Sequence, residues 1–555
     1  NIDWRIIPAL RLQGRFSYTR QFDRRDLFKS PESLDYSTET DPKKKGSYYL
    51  VNSRSDRFDG NLTLAYNKTI DKHMLNVGVG SNIMQSETEG ESFTGVGFIN
   101  PDMIFIGAAN AFQENTSPQG TYDKSRLVGF FTNVNYGYGN RYFLDFSFRS
   151  DGSSKFGRNS RFAPFWSLGV AWNVHNESFW HAHEKNALKL RASVGSTGTT
   201  NFSSTQALTT YLYDFSREYN GNFGVSLAGY GNSSLKWQTT LSYNVGVDFT
   251  FLHGLVVFNG DFYIKNTRSL LLPVTVAPST GFIDYVENIG KLRNTGVEAR
   301  LRFNLIQDAV KDLRWNVTLS AFHNRSKITQ LSNQLETINQ YANDDRANQG
   351  TVVYRQFEAG RSQTALMVVR SGGIDPATGN EIYIKRNGEM TFEYNHNDKI
   401  ECGDMKPKIE GNVNTNLNWK GFNLYMLFKY QYGGKIYNAT LASKVEGVNP
   451  LKNADKRVLY DRWKEPGDHA KFRRIDDTSA PYQTTRLVFD NNLLALQSVS
   501  LSYELPRKIS QKMYMERVKL LLSSTDLFRL SSVKQERGTS YPFARTFSIG
   551  LNVTF

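Results

Sequence analysis

Hydrophobic and polar residues alternate with a period of two along most of the chain. In the C-terminal segment, apolar side chains on Phe547, Ile549, Leu551, Val553 and Phe555 are separated by polar or small residues. Similar segments follow Leu10, Leu62, Tyr142, Leu241, Val297, Val317 and Phe422. Successive side chains of a strand point to opposite faces, so each segment is predicted to be a strand with one apolar and one polar face.

The length of the predicted strands and of their connections distinguishes two kinds of β-protein. Strands of a soluble sandwich usually have about five or six residues, whereas these segments run on for about as long as the roughly 9–11 residues that cross a bilayer. The connections are expected to alternate strictly between short and long. The short ones are 68–72, 137–140, 252–254 and 420–421, and the long ones 23–54, 86–123, 198–234 and 436–491. Short periplasmic turns and long extracellular loops are typical of outer-membrane barrels.

The fold class predicted from this pattern is all-β, a transmembrane antiparallel β-barrel. We expect about sixteen strands, the first running outward from Pro8 to Gln21 and the last running inward to Phe555, which puts the C-terminus on the periplasmic side. The same alternation of apolar and polar residues persists along the whole chain, which favours a single domain. Only a closed barrel pairs every backbone group in lipid, so further strands, in even number, are expected outside this chain.

Aromatic residues near the predicted strand ends indicate girdles at the membrane interfaces, where a ring can bury its body and keep its polar tip wet. The candidates are Tyr66, Tyr136, Tyr138, Trp172 and Tyr503. Ordinary packing within a sheet is the alternative for any single one of them.

Composition narrows the possible classes further. Aromatic residues make up 13% of the 555 residues, too many for a disordered chain, while the mean hydropathy is −0.49. No apolar stretch approaches the roughly 20 residues of a membrane helix. The net charge of +14 is dispersed, with small clusters at Lys43 to Lys45 and at Arg24 and Arg25 that we expect in solvated loops, so a nucleic-acid partner is not predicted.

A few segments contain residue types that could carry chemistry. Cys402 is the only cysteine; it excludes an intrachain disulfide and is expected to be an incidental loop thiol. His181, His183 and Glu184 lack a convincing third metal ligand. The run from Asp375 to Asn380 lacks the spaced carboxylates of a calcium loop and is predicted to be a turn.

The run from Asp151 to Ser154 is not a nucleophile elbow and is predicted to be a structural loop. We therefore expect no enzymatic activity and no catalytic, cofactor or metal residues. The substrate-binding residues are unknown at this stage.

Several ordered blocks carry a resemblance to a known family. The run from Arg149 to Gly157, followed by Trp172 and Phe179, resembles the SusC/RagA family of TonB-dependent transporters. Further blocks begin at Leu188, Leu235, Tyr263, Asn288, Gly373, Arg462 and Arg545. Two departures are minor: Gln238 where the family usually has Glu, and Phe165-Trp166 where it has Phe-Pro.

The resemblance implies a barrel of 22 strands, of which this chain would hold the seventh to the last. The family's plug domain, TonB-contacting segment and first strands would precede Asn1, where no start methionine or signal peptide is seen. The resemblance also implies nutrient uptake across the outer membrane of a Gram-negative bacterium. In this reading TonB supplies the energy, and a SusD-like surface lipoprotein covers the long loops. The implied cargo is an oligosaccharide or a peptide.

Other functions stay open at this point. Within TonB-dependent transporters, the cargo could instead be a siderophore or a vitamin. Outside that class, a passive porin or adhesin would lack a plug, and an outer-membrane hydrolase would turn over its substrate without TonB. The sequence does not distinguish a glycan from a peptide.

Overall fold

The structure is a computed structural model of the chain. It describes residues 1–114, 116–157, 160–181, 185–200, 204, 206–229, 231–275, 284–288, 290–331, 357–448, 454–477, 479–534 and 543–555. Strands dominate, and eighteen of them are assigned to one large antiparallel sheet. Within the described ranges, no helix is both long enough and apolar enough to cross a membrane.

The described strands are numbered in chain order. They are β1 (Ile2–Ile7), β2 (Leu10–Lys29), β3 (Ser47–Ile70), β4 (His73–Val96), β5 (Ala111–Phe112), β6 (Gln119–Tyr138), β7 (Tyr142–Ser153), β8 (Phe162–Asn173), β9 (Ala187–Thr199), β10 (Thr210–Tyr219), β11 (Asn222–Gly229), β12 (Gln238–Phe251), β13 (Val256–Arg268), β14 (Leu271–Thr275), β15 (Asp284–Asn288), β16 (Lys291–Asp308), β17 (Leu313–Gln330), β18 (Ala365–Ile374), β19 (Glu381–Ile384), β20 (Met390–Thr391), β21 (Lys399–Asp404), β22 (Ile409–Trp419), β23 (Phe422–Tyr437), β24 (Val488–Glu504), β25 (Arg517–Ser531) and β26 (Thr546–Thr554).

Helical segments are short. One α-helix, α1 (Arg507–Lys512), and a π-helix, Leu441–Glu446, are described. The short 3-10 turns include Leu34–Tyr36, Pro42–Lys44, Ile106–Ala108, Val174–Asn176, Leu252–Gly254, His396–Asp398, Lys456–Leu459 and Thr485–Leu487.

The chain divides into two compact units. The first comprises Asn1–Val170, Val194–Thr240 and Ser269–Asn288. Its strands pair in the order β1, β2, β3, β4, β6 and β7, all antiparallel, with β5 added to β4. The hairpins β10–β11 and β14–β15 stand outside this ladder.

The second unit comprises Ala171–Ser193, Leu241–Arg268 and Ile289–Phe555. Its antiparallel ladder runs β13, β16, β17, β22, β23, β24, β25 and β26. A separate four-stranded sheet, in the order β20, β19, β18 and β21, is built from the connection between β17 and β22.

The apolar faces of the strands are exposed rather than packed in a core. Tyr142, Leu144, Phe146 and Phe148 of β7 are each about two-fifths exposed, and Ile549 of β26 is 86% exposed. A soluble protein rarely exposes such large contiguous apolar surfaces. Exposed apolar faces on long antiparallel strands therefore confirm the alternation predicted from the sequence.

The number of long strands also agrees with the sequence. Sixteen strands of the large sheet are longer than β1 and β5 and correspond to the predicted set. The short strand β1, which pairs with the start of β2, was not predicted.

Four strands extend well beyond the predicted loop boundaries. The predicted connections 23–54 and 86–123 shrink to 30–46 and 97–118, because β2, β3, β4 and β6 continue as paired strands. In these extensions charged pairs replace the apolar residues: Arg24 Nε bonds Asp26 at 3.1 Å and Arg54 bonds Glu89 at 3.0 Å. The loss of apolar alternation hid the strands in the sequence.

The predicted strict alternation of short and long connections was wrong in two places. Connections 174–186 and 505–516 lie at the short-turn end of the strands, yet both are longer than 154–161 at the opposite end. The first holds a 3-10 turn and the second holds α1.

Candidate functional site: the loop domain

Two long connections of the second unit fold together as one body. We call it the loop domain and define it as residues 364–405 with the described parts of 438–487. The connections leave β17 and β23 at the same end of the ladder and return through β22 and β24. A parallel bridge joins Val369 to Thr484, and the Val369 N–H donates to the Gln483 carbonyl at 3.3 Å. Both connections are thus fixed to each other through the backbone.

The family blocks that begin at Gly373 and Arg462 meet in the loop domain. The turn between β18 and β19 places Asp375 as an acceptor for the Thr378 hydroxyl at 2.6 Å. The Trp463 indole N–H donates to the Pro376 carbonyl at 2.8 Å. Gly379 has a positive φ, and a Cβ there would lie 2.6 Å from the Trp463 ring. The sequence prediction of a turn over 375–380 is confirmed, and glycine is required where the ring packs.

A network of ion pairs lies buried at the centre of the loop domain. Glu446 accepts from Arg473 Nε at 2.9 Å, and both of its oxygens also accept from Arg486, at 2.9 and 3.0 Å. Arg486 also donates to Glu381 at 3.0 Å. The side chain of Glu446 is 0% exposed and that of Glu381 is 1% exposed. The network therefore links β19 of one connection to the π-helix and the 473–486 segment of the other.

Further hydrogen bonds complete the network. The Thr484 hydroxyl donates to Glu381 at 2.7 Å, and Arg473 donates to Asp477 at 2.5 Å. Arg462, itself buried, donates to the Arg473 carbonyl at 2.9 Å. Acidic and basic groups balance, which a buried cluster requires because desolvated charges are costly unless paired.

The electrostatics of the network favour its charged form. Burial alone raises the pKa of Glu446, but the adjacent guanidinium groups of Arg486 and Arg473 outweigh burial and hold it below its ordinary value. Burial alone lowers the pKa of Arg486, but Glu381 and Glu446 outweigh it and raise the pKa. Both shifts favour the charged forms of Glu446 and Arg486, so this pair fastens the two connections to each other.

Aromatic side chains form a second feature of the loop domain. The rings of Tyr394 and Tyr482 stack with centroids 4.1 Å apart, and Tyr383 meets both edge-on. Met390 and Phe392, at and beside edge strand β20, are 70% and 57% exposed. Exposed apolar side chains beside a sheet edge offer a surface for contact with another molecule.

The sequence-predicted chemical candidates fall in separate places. His181 contacts the Phe179 carbonyl at 2.7 Å through its Nδ1, whereas His183 and Glu184 lie outside the described residues. Asp151 is buried and accepts from Arg149 at 2.5 Å. The Ser154 hydroxyl accepts from the Arg126 N–H at 2.9 Å. Asp151 to Ser153 lie at the end of β7, so the prediction of a loop over 151–154 was wrong for these three residues.

Other sequence predictions are corrected or refined by the structure. Cys402 lies in β21, not in a loop, and burial raises the pKa of its thiol. Arg24 and Arg25 lie in β2, not in a loop. Among the described residues, no three or more His, Cys, Asp or Glu side chains are arranged to hold a metal ion.

The predicted girdle residues all lie near the short-turn ends of their strands. Tyr66 is near the end of β3, Tyr136 and Tyr138 end β6, Trp172 is near the end of β8 and Tyr503 near the end of β24. The ring of Tyr503 lies 4.3 Å from that of Phe422, and His73 bonds the Tyr136 hydroxyl at 2.7 Å. Each of these residues therefore lies near the short turn that follows its strand.

The comparison with protein families decides the identity of the fold. Residues 1–373 match the family described as TonB dependent receptor-like, beta-barrel. The chain belongs to this family. Its TonB-dependent barrel fold and its place in the Gram-negative outer membrane follow, as the alternation pattern and the family resemblance together predicted.

Known relatives agree with this TonB-dependent receptor assignment. TonB-dependent receptor P3 of Formosa agariphila is 26% identical over 89% of this chain and 52% of its own length. TonB-dependent receptor SusC of Bacteroides thetaiotaomicron is 27% identical over 58% of this chain and 32% of its own. The chain thus spans about half the length of the first of these relatives.

Solved structures share the fold of this chain. The chain matches a structure of the RagAB peptide transporter with a TM-score of 0.85 and 21% identity, covering 100% of this chain and 61% of that one. The resemblance to the SusC/RagA family drawn from the sequence blocks is confirmed. The family is one of receptors and transporters, not a class of enzymes.

Proposed function

We propose that this chain is the barrel part of a TonB-dependent, SusC-like importer that carries oligosaccharides or peptides across the outer membrane. The observation that carries the proposal is that the chain belongs to the TonB dependent receptor-like, beta-barrel family. Its long connections also build an ordered domain at one end of the strands. A plug domain, a TonB-contacting segment and the first strands are proposed to belong to the whole protein. The barrel serves as the conduit and the plug as the gate.

Uptake by the whole transporter tests this proposal. A strain lacking the gene should lose accumulation of one labelled pool, either oligosaccharides or peptides, and a strain lacking TonB should lose the same pool. Loss of a metal chelate or a vitamin instead would favour the other branch of the family. Accumulation that persists without TonB would contradict energised import.

We also propose that a SusD-like lipoprotein covers the loop domain. The exposed Met390 and Phe392 beside edge strand β20 support this, as do the exposed Leu459 and Tyr460. Apolar side chains at the centre of a contact contribute most of the binding energy between proteins.

Co-purification with the tagged transporter tests the partner. Wild type should retain a lipoprotein, and the pair Met390→Glu with Phe392→Glu should retain several-fold less of it, since charges are then buried without partners. Val310→Glu is the matched control, because Val310 is 98% exposed in the β16–β17 turn at the opposite end. Equal recovery from both variants would contradict a lid contact at this surface.

A further inference from the structure

The polar face of strands β17 and β22 to β26 contains a band without charge. Residues paired across these strands form rows, and two neighbouring rows run from β17 to β26. They are Asn316, Asn416, Tyr425, Ser500, Ser523 and Ser548 in one row, and Thr318, Asn414, Leu427, Ser498, Thr525 and Thr546 in the other. Charged residues make up 22% of the chain, yet neither row contains one. We call these two rows, with the adjoining Asn412, Asn418 and Asn423, the asparagine face.

The asparagine face looks into the barrel interior. Side chains of a strand alternate between two faces, and the opposite face of the same strands carries a row with Leu424, Leu501 and Leu522. Leu501 and Leu522 are 41% and 48% exposed, as expected of side chains that contact lipid. Outer-membrane barrels have a polar interior, so the asparagine face lines the path through the barrel.

Asparagine is concentrated on one strand of this face. It occupies four alternate positions of β22, which are Asn412, Asn414, Asn416 and Asn418. Asparagine is depleted in strands, so four on one face are not explained by strand formation. Asn423 of β23 donates to Asn416 at 2.7 Å and to Asn418 at 2.5 Å. Within the described part of the chain, the amides of Asn412 and Asn414 make no side-chain hydrogen bond, and both are partly exposed, so they are open to a ligand.

Charged residues return at the borders of the asparagine face. On the neighbouring strand β16, Arg302 lies opposite Thr318, and Arg300 lies one row further along. Both arginines are exposed. The row towards the loop domain contains Lys429 and the row towards the short turns contains Arg314. The uncharged band is therefore a bounded feature of the wall and not a consequence of a generally uncharged interior.

We propose that the asparagine face contacts an uncharged, hydroxyl-rich cargo, which makes neutral oligosaccharides the substrate class. This inference rests on the importer function proposed above. Amides and hydroxyls both donate and accept hydrogen bonds, as sugar hydroxyls do. Tyr425 lies within the face and offers a ring against which the C–H face of a sugar can pack. A peptide carries terminal charges, and a charge that leaves bulk water is disfavoured where no counterion meets it.

Uptake of three labelled pools by intact cells tests the substrate class. The pools are matched in size and consist of neutral oligosaccharides, uronic-acid oligosaccharides and peptides. Uptake that depends on the gene and on TonB should be at least about tenfold greater for the neutral pool than for either charged pool. Equal or greater uptake of a charged pool would overturn the inference and leave the importer standing. If no pool depends on the gene and TonB, the importer proposal fails and the inference with it.

Variants test whether the asparagine face is the surface that selects the neutral pool. Asn414→Asp with Asn416→Asp should lower neutral uptake by about tenfold or more, because anions without counterions replace amide donors. Asn61→Asp with Asn82→Asp is the matched control on the polar face of β3 and β4, where Asn82 already accepts from Arg149 at 2.5 Å. The control should keep uptake within about twofold of wild type. Equal losses from the two pairs would contradict the assignment.

A neutral replacement separates charge from shape. Asn414→Ser with Asn416→Ser keeps uncharged hydrogen-bonding groups and should retain at least about a third of the uptake. A loss as large as that of the aspartate pair would contradict recognition by an uncharged surface.

Limited proteolysis distinguishes cargo contact from a seat for the proposed plug. In the purified whole transporter with Asn414→Asp and Asn416→Asp, the plug should be cleaved at the wild-type rate although uptake is lost. Faster cleavage of the plug would show that the asparagine face holds the plug, and would overturn the proposal. If the aspartate pair fails to assemble in the membrane, the single variant Asn414→Asp decides by the same two measurements.

Discussion

At the scale of single residues, the loop domain depends on charges placed where water does not reach. Removing one member of a buried ion pair leaves the other charge uncompensated, which typically costs about 3–5 kcal/mol. Arg486 is the member shared by Glu381 and Glu446, so it is the most sensitive position.

We predict that Arg486→Met loosens the loop domain while the strand ladder stays paired. Hydrogen exchange over 365–404 should accelerate by at least a hundredfold, in line with about 3–5 kcal/mol. Arg474→Met is the matched control, because Arg474 pairs with Asp476 at 3.3 Å and is 44% exposed, where ion pairs contribute about 1 kcal/mol or less. Unchanged protection in Arg486→Met would show that the network is not a fastening.

Lys399 gives a prediction that depends on pH. Its side chain is buried in β21, and burial lowers its pKa to about 8. Below pH 8 the folded state must bury the charge, so the lysine costs stability there, and this cost falls as pH rises from 8 towards the ordinary value of 10.5.

The variant Lys399→Met should therefore stabilise the loop domain at pH 7, by at most about 3 kcal/mol at about 1.4 kcal/mol for each pKa unit. The gain should shrink towards zero above pH 10. Thermal unfolding followed across this pH range measures it. A gain that grows with pH would contradict the sign.

The sequence could predict some of these residues and not others. The turn over 375–380 was predictable because Asp, Pro and Gly signal turns within a few positions. The ion-pair network was not, since Glu446 and Arg486 are 40 positions apart and Glu381 and Arg486 are 105 apart. Only the folded chain shows which of many charged residues are buried together.

At the scale of elements, the strands change character along their length. The apolar face of β3 carries Leu62 and Leu64, and further along the same face it carries Asp56, which bonds Arg20. Period-two alternation was enough to predict the membrane-crossing part. The extensions are held by backbone pairing and by charged residues on both faces. Because such a segment lacks apolar alternation, its sequence looks like that of a loop.

This difference predicts unequal effects along a single strand. Leu62→Arg should cost about 2–4 kcal/mol if it faces the bilayer near its midplane. Asp56→Ala, next to the extension, should cost about 1 kcal/mol or less because its pairs are partly exposed. Urea titration of the barrel refolded into lipid vesicles measures both. A larger cost for Asp56→Ala would contradict the assignment of the membrane boundary.

At the scale of the whole molecule, the chain combines a ladder with exposed apolar faces and a polar, ordered loop domain. The barrel class was predictable because alternation, connection lengths and strand parity all point to the same fold. The cargo was not, because it depends on surfaces assembled from distant connections. Family membership supplies the class of transporter, and uptake experiments supply the substrate.

The central claim is that the apolar face of each long strand contacts lipid. Site-directed labelling along β7 tests it most directly, in a Cys402→Ser background with single cysteines introduced from Tyr142 to Arg149. Labels at positions 142, 144, 146 and 148 should be quenched by spin-labelled lipids, and labels at 143, 145, 147 and 149 should react with a water-soluble reagent. Equal access of both sets to water, or quenching without a period of two, would contradict the account.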